Sequence, residues 1–180
     1  MTEIVFTKTS CNEELKEILV LQQENLLRAD KINEQLKEGF VTVQHSLTDL
    51  QDMHNSAAHC IIKSGNKVIG YALVMLPTYK DKIEILKPFF NEIEKLVAPT
   101  KKHLVMGQIC IATGYRGQGL FKKLYQFFKQ EHEKEFHCVF TEVASTNIRS
   151  LQAHLSIGFK IQKTYEQEKI TWHIMIWDWT

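Results

Sequence analysis

Residues 104–124 read LVMGQICIATGYRGQGLFKKL, and the fold turns on them. Leu104 to Ala112 form a largely apolar run of strand length. Thr113-Gly114-Tyr115-Arg116-Gly117-Gln118-Gly119 is a glycine-rich loop. From Leu120 the period changes. Leu120, Phe121, Leu124, Phe127 and Phe128 share one helical face, opposed by Lys122, Lys123, Gln126 and Lys129. Strand, glycine loop and helix together form a template for holding an anion, because glycines let a ligand approach the backbone and a helix start offers unpaired N–H groups. Two familiar loops fail here. A Walker A loop ends in Gly-Lys-Ser/Thr, whereas Gly119 is followed by Leu120-Phe121. A dinucleotide fingerprint needs a third glycine where this chain has Lys122. Lys122 and Lys123 sit in the first helical turn, where the macrodipole disfavours cations by a few tenths to about 1 kcal/mol. A phosphate-rich ligand would reverse that sign; a solvated face is the alternative reading.

Outward from this unit the pattern continues. His137 to Val143 reads as a strand, and Asn147 to Ile157 as a helix stopped by Gly158. Phe159 to Tyr165 and Ile170 to Trp179 read as two final strands with a turn around Gln167. On the N-terminal side, residues 3–8 (EIVFTK) alternate as a strand, and Asn12 to about Leu27 has a helical period. Lys31 to Lys37 is polar, helical or looped, and ends at Gly39. Ser46 and Asp49 form a capping-box pattern opening a short helix toward Met53. Ala58 to Lys63 and Lys67 to Leu76, joined by Ser64-Gly65-Asn66, predict a hairpin. Lys82 to Val97 is expected to be helical, with Pro88 at the first turn of its second half.

The chain has 180 residues with 22 Lys+Arg against 21 Asp+Glu, a net charge of +1 that offers no electrostatic case for nucleic-acid binding. No leader is visible in MTEIVFTKTS, and the longest apolar stretch, Ile69 to Leu76, is too short to span a bilayer. Cys11, Cys60, Cys110 and Cys138 lack paired spacing. A cytoplasmic protein forming one domain over residues 1–180, with no membrane partner, is expected.

Arg116-Gly117-Gln118-Gly119-Leu120 resembles the R/Q-x-x-G-x-G/A coenzyme A motif of the GNAT superfamily of N-acetyltransferases. Asn147-x-x-Ser150-x-x-x-His154-x-x-x-Gly158-Phe159 is similar to its second motif, N-x-x-A-x-x-x-Y-x-x-x-G-F. The resemblance spans about residues 104–165 and implies an α+β fold. The expected architecture is a three-layer α/β/α arrangement around a mixed, mostly antiparallel sheet of about seven strands, splayed at the strand ending near Ile111. It implies acetyl-CoA as cosubstrate, its pantetheine arm bonding backbone around Ile109, Cys110 and Ile111. The diphosphate would lie on the amides of Arg116, Gly117, Gln118, Gly119, Leu120, Phe121 and Lys122, with Asn147 and Ser150 beside the thioester. Phe121 departs from the usual small residue and would turn into the core. His154 departs from the usual tyrosine.

Acetyl transfer to an amine requires the neutral amine. Deprotonation at neutral pH costs roughly 4 kcal/mol for a lysine-like group and about 1 kcal/mol for an α-amino group, so a general base matters. Glu142, five positions before Asn147, resembles the base of the ribosomal-protein alanine acetyltransferase branch; the plain alternative is a strand-edge carboxylate paired with Arg149 or Lys160. Asn147, Ser150 and His154 form a polar stripe beside an apolar face of Ile148, Leu151 and Leu155. An unperturbed imidazole is only about 3% protonated at pH 8. Either Glu142 raises the pKa of His154, making it the catalytic acid, or His154 orients the thioester. The spacing of His54/His59 and His132/His137 does not suggest a metal site, and Cys110 reads as a core cysteine. Trp172, Trp177 and Trp179 are expected to pack the last strands.

The expected acceptor is an amine-bearing small molecule or protein, facing His45, Asp49, Asp52 and Tyr79 in a monomer or homodimer. A coenzyme-A-binding regulatory module without turnover is the main rival, and a nucleotide-binding domain the second.

Overall fold

The computed structural model describes residues 3–180. Seven strands form one sheet in the order β1-β2-β3-β4-β5-β7-β6. They are β1 (Ile4–Lys8), β2 (Cys60–Ser64), β3 (Lys67–Met75), β4 (His103–Ile111), β5 (Cys138–Ala144), β6 (Lys160–Gln167) and β7 (Ile170–Asp178). The helices are α1 (Asn12–Asn25), α2 (Ile32–Glu38), α3 (Leu47–Ser56), α4 (Lys87–Leu96), α5 (Leu120–His132) and α6 (Ile148–Ile157). All ladders are antiparallel except β4–β5.

Side-chain alternation along the strands builds two cores, one on each face. On β3, Tyr71, Leu73 and Met75 pack with Leu15 and Ile18 of α1, Leu50 and Met53 of α3, and Phe89, Phe90 and Ile93 of α4. Ala72 and Val74 point the other way, joining Leu120, Leu124, Tyr125 and Phe128 of α5. The three-layer α+β expectation is met.

The hairpin, the Ser46–Asp49 capping box and the Gly158 stop stand where the sequence puts them. The helix expected over Lys82 to Val97 is shorter. Pro77–Asp81 and Glu84–Leu86 form separate 3-10 turns, and α4 begins only at Lys87, with Pro88 in its first turn where a missing N–H costs nothing.

The β4–β5 ladder decides where a site can form. Only His103, Leu104 and Val105 pair with Cys138, Val139 and Phe140. Beyond them the strands part. Between the pairs Ala72–Ile109 and Val74–Met106, β3 advances two residues while β4 advances three, so β4 bulges at Gly107–Gln108. Gln108 clamps the bulge. Its Oε1 accepts from Tyr71 Oη at 2.6 Å and Gln22 Nε2 at 3.1 Å, while its Nε2 donates to the Val43 carbonyl at 2.8 Å.

Candidate active site

Hydrogen bonding alternates along an antiparallel ladder. The Ala112 amide donates to Ile69 across β3–β4 at 2.8 Å, so Cys110 bonds toward Tyr71 while the peptide groups of Ile109 and Ile111 face the splay. Ile109 offers its main chain to an added strand. The Ile111 carbonyl is taken, because Arg116 Nε donates to it at 3.0 Å. The same guanidinium donates to the Glu38 carbonyl at 3.0 Å and to Asn25 Oδ1, tying the end of β4 to α1 and α2. Its side chain is therefore a strut between elements. Cys110 is buried, and burial pushes its thiol up to about 11, which leaves it inert as a nucleophile.

After β4 the chain makes a tight turn at Thr113–Tyr115 and enters α5 through Gly117 (φ +75°) and Gly119 (φ +73°). Both need the left-handed region, and a Cβ on either would meet nothing within 4 Å. Their lack of side chains leaves the space beside them open. The N–H groups of Gly117, Gln118, Gly119, Leu120, Phe121 and Lys122 find no acceptor among the described residues. Six free donors at the start of a thirteen-residue helix fit an anionic group of diphosphate size. Lys122 and Lys123 are exposed there. The Phe121 ring does not block the turn: it lies edge-on to Tyr125 and His154, each 5.3 Å away, against the α5-side core. A groove of about 350 Å³ runs from this loop along Ile109, Cys110 and Ile111, walled opposite by Glu38, Phe40, Arg149 and Ser150.

A narrower chamber of about 70 Å³ lies across the splay. Groove and chamber share Phe40, Val41, Ile109 and Ser150. The chamber's other walls include Val43, Leu86, Phe89, Met106, Thr141 and Trp172. Glu142 is the one carboxylate lining it. Its Oε2 accepts from Tyr165 Oη at 2.6 Å. Burial pushes the carboxyl up to about 7 against the opposing pull of that hydrogen bond. The sequence reading considered Arg149 or Lys160 as a partner for Glu142. Arg149 instead pairs with Glu38 at 2.8 Å, and among the described residues no ion pair forms at Glu142. Tyr165 escaped the sequence reading. Its signal lies in the sheet register: Glu142 opposes Ile174, which opposes Lys163, and Tyr165 follows two residues along the same face.

Helix α6 turns its polar stripe inward. Asn147 (5% exposed) and His154 (1%) are buried, whereas Ile148 (55%) and Leu155 (38%) face solvent. The helix borders a cavity rather than a closed core, and its inward polar groups are paired. Asn147 Nδ2 donates to the Phe40 carbonyl at 2.8 Å, and its Oδ1 accepts the Ser150 N–H at 3.4 Å. His154 Nδ1 lies 2.7 Å from the Ser150 carbonyl, which can only accept, so Nδ1 carries the proton. Nε2 is then bare in the neutral ring and accepts from Tyr125 Oη at 2.7 Å. Burial pushes the imidazole down to about 4. The expectation that Glu142 raises this pKa is thus corrected: desolvation outweighs all else, and neither nitrogen has a proton to spare.

His45, Asp49, Asp52 and Tyr79 line neither space, contrary to expectation. His45 is buried, Asp49 completes the α3 cap by accepting from the Ser46 amide at 2.8 Å, and Tyr79 is buried 3.1 Å from the Ser56 hydroxyl. The segment that fronts the chamber is instead residues 40–43, held by Asn147 and Gln108. Trp177 and Trp179 pack against the α5-side core as expected, but Trp172 is a chamber wall.

Comparison with known proteins adds the family. No curated protein matches the chain in sequence. The solved NatC complex bound to Gag peptide and CoA contains a chain 18% identical, with a TM-score of 0.69 over 99% of both chains. NAA60 of Arabidopsis thaliana in complex with acetyl-CoA is 12% identical, with a TM-score of 0.69 over 98% of this chain and 99% of the other. Ard1 from Thermoplasma volcanium is 12% identical, with a TM-score of 0.67 over 97% of each. At these identities the likeness is one of fold. The family model described as Acetyltransferase (GNAT) family matches residues 22–159, more than half the chain. The chain belongs to the acetyltransferase (GNAT) family.

Proposed function

We propose that the chain moves an acetyl group from acetyl-CoA to a primary amine of a small molecule or protein, by direct attack in a ternary complex, with residues 1–180 acting as one catalytic domain. The observation that carries this reading is the meeting of two spaces across the splayed strands. A groove with free helix-start donors at one end shares the walls Phe40, Val41, Ile109 and Ser150 with a chamber bearing a carboxyl poised near neutrality. When bound, the cosubstrate supplies the activated acyl group. The chain's own residues do the rest. The amides of Gly117 to Lys122 hold the diphosphate, and the Ile109 main chain aligns the tether as an added strand.

Glu142 is the base. At about 7 its carboxyl is about half ionised at neutral pH, matched to an α-amine more closely than to a lysine-like one. Tyr165 engages one carboxylate oxygen and leaves the other without a hydrogen-bond partner among the described residues. That the NatC structure holds a peptide with CoA supports a protein amine among the acceptors considered.

Calorimetric titration with CoA, followed by thiol release from acetyl-CoA across a panel of peptides, polyamines and amino acids, tests the reading. Tight CoA binding with amine-dependent release is expected. Absence of CoA binding refutes the proposal; binding without acyl loss on any amine would favour a regulatory module.

A further inference from the structure

The site lacks the tyrosine that the family motif places at residue 154, and the histidine there has no proton to offer a departing sulfur. The junction of groove and chamber supplies a substitute. Acyl transfer must occur where the two spaces meet, and of the four residues lining both, Phe40, Val41, Ile109 and Ser150, only Ser150 carries a polar side chain. Among the described residues its Oγ has one hydrogen-bonding neighbour, His154 Nδ1 at 3.4 Å. That nitrogen already holds a hydrogen directed at the Ser150 carbonyl, so the serine cannot donate to it. The hydroxyl hydrogen is therefore free of the ring.

We propose that Ser150 Oγ is the hydrogen-bond donor that stabilises the sulfur leaving the thioester. The inference rests on the acetyl-transfer reading. In the step it serves, the amine nitrogen forms the C–N bond and the C–S bond breaks, leaving its electron pair on sulfur. The nitrogen's proton passes to Glu142, and Ser150 keeps its own proton while donating a hydrogen bond to the new thiolate. A serine with an alcohol's proton affinity suits that role, since a thiolate with pKa near about 8.5 is stable enough to leave without full protonation.

The test is the ionisation of the CoA thiol bound to the protein, followed by the ultraviolet absorbance of the thiolate as pH is raised. A hydrogen bond to a charged sulfur should hold the bound thiol about one pH unit below its value in Ser150→Ala. The same variant should lose about tenfold in kcat with the KM for acetyl-CoA within about twofold, and Ser150→Thr should restore both. Calorimetry with CoA on both proteins reports separately on the groove. An unchanged thiol pKa in Ser150→Ala, with CoA still bound, overturns the inference and leaves the acetyltransferase reading standing. Failure of the unsubstituted protein to bind CoA overturns that reading and the inference with it. Alanine is a better helix former than serine, so the variant is expected to fold.

Discussion

Replacing Glu142 by glutamine should make the protein both inactive and more stable at alkaline pH. The carboxyl lies at about 7, against 4.5 for an unburied glutamate, with burial as the dominant cause. Between those two values the folded state holds a proton that the unfolded chain has released, so stability falls as pH rises from 4.5 through 7 and the loss is complete above it. The gap corresponds to about 3 kcal/mol at pH 8. Glutamine is neutral at every pH, nearly isosteric with the protonated acid, and can still accept from Tyr165. Glu142→Gln should thus melt roughly 6–12 °C above the unsubstituted protein at pH 8. At pH 5 the difference should shrink to about 2 °C, because the folded carboxyl is already protonated. In parallel, the limb of the kcat/KM profile near pH 7 should disappear along with at least about 99% of the activity. A melting difference that is the same at pH 5 and pH 8 would refute the argument: Glu142 would then be an ordinary ionised glutamate, and the base would have to be sought elsewhere.

Gly119→Ala forces a side chain into the left-handed region and should cost about 1–2 kcal/mol in thermal denaturation. It should also cut CoA affinity at least about tenfold by placing a methyl group before the free amides; an unchanged CoA-induced rise in melting temperature contradicts this. Arg116→Lys replaces three donor nitrogens of a planar fork, each on its own acceptor, by a single nitrogen that cannot reach all three places, so the urea midpoint should drop by an amount equivalent to about 2 kcal/mol. Amides around residues 37–43 should exchange faster, and an unchanged midpoint would show the strut to be dispensable. Acid should destabilise the fold. Burial holds His45 and His154 down to about 4 and His59 to about 3, so below pH 6.5 the unfolded chain binds protons that the folded one refuses. Stability is lost progressively from pH 6.5 toward 4 for His45 and His154 and toward 3 for His59, by up to about 3 kcal/mol for His154 alone. Melts of Glu142→Gln, which lacks the opposing titration, give the clearest slope; a flat profile from pH 7 to 5 would refute it.

The glycine loop and its flanking strand and helix were legible because local chemistry sets them: apolar alternation, left-handed glycines and an amphipathic helix speak within a few residues. The polar stripe of helix α6 is legible in the spacing of Asn147, Ser150 and His154, but what satisfies it is not: Asn147 is held by the Phe40 carbonyl and His154 by the Tyr125 hydroxyl. Neither partner is near in sequence. The lowered pKa of His154 was invisible for the same reason, since it follows from a shell that includes Phe121, Tyr125 and Phe159. Glu142 could be picked out by its motif position, but its affinity for a proton depends on walls drawn from α4, β7 and residues 40–43. The misplaced acceptor residues, His45 to Tyr79, lie in segments whose order was right but whose path across the sheet no local pattern encodes.

The three residue pairs joining β4 to β5 make the sheet resemble two leaves bound along a very short spine. On one leaf lie β1 to β4 with the glycine loop; on the other, β5, β7 and β6 carry Glu142 and Tyr165. A molecule settled in the gutter between them would lengthen that binding. Occupancy would then brace the leaves against each other, so that the geometry between donor loop and proton acceptor is drawn tight only when there is something to transfer.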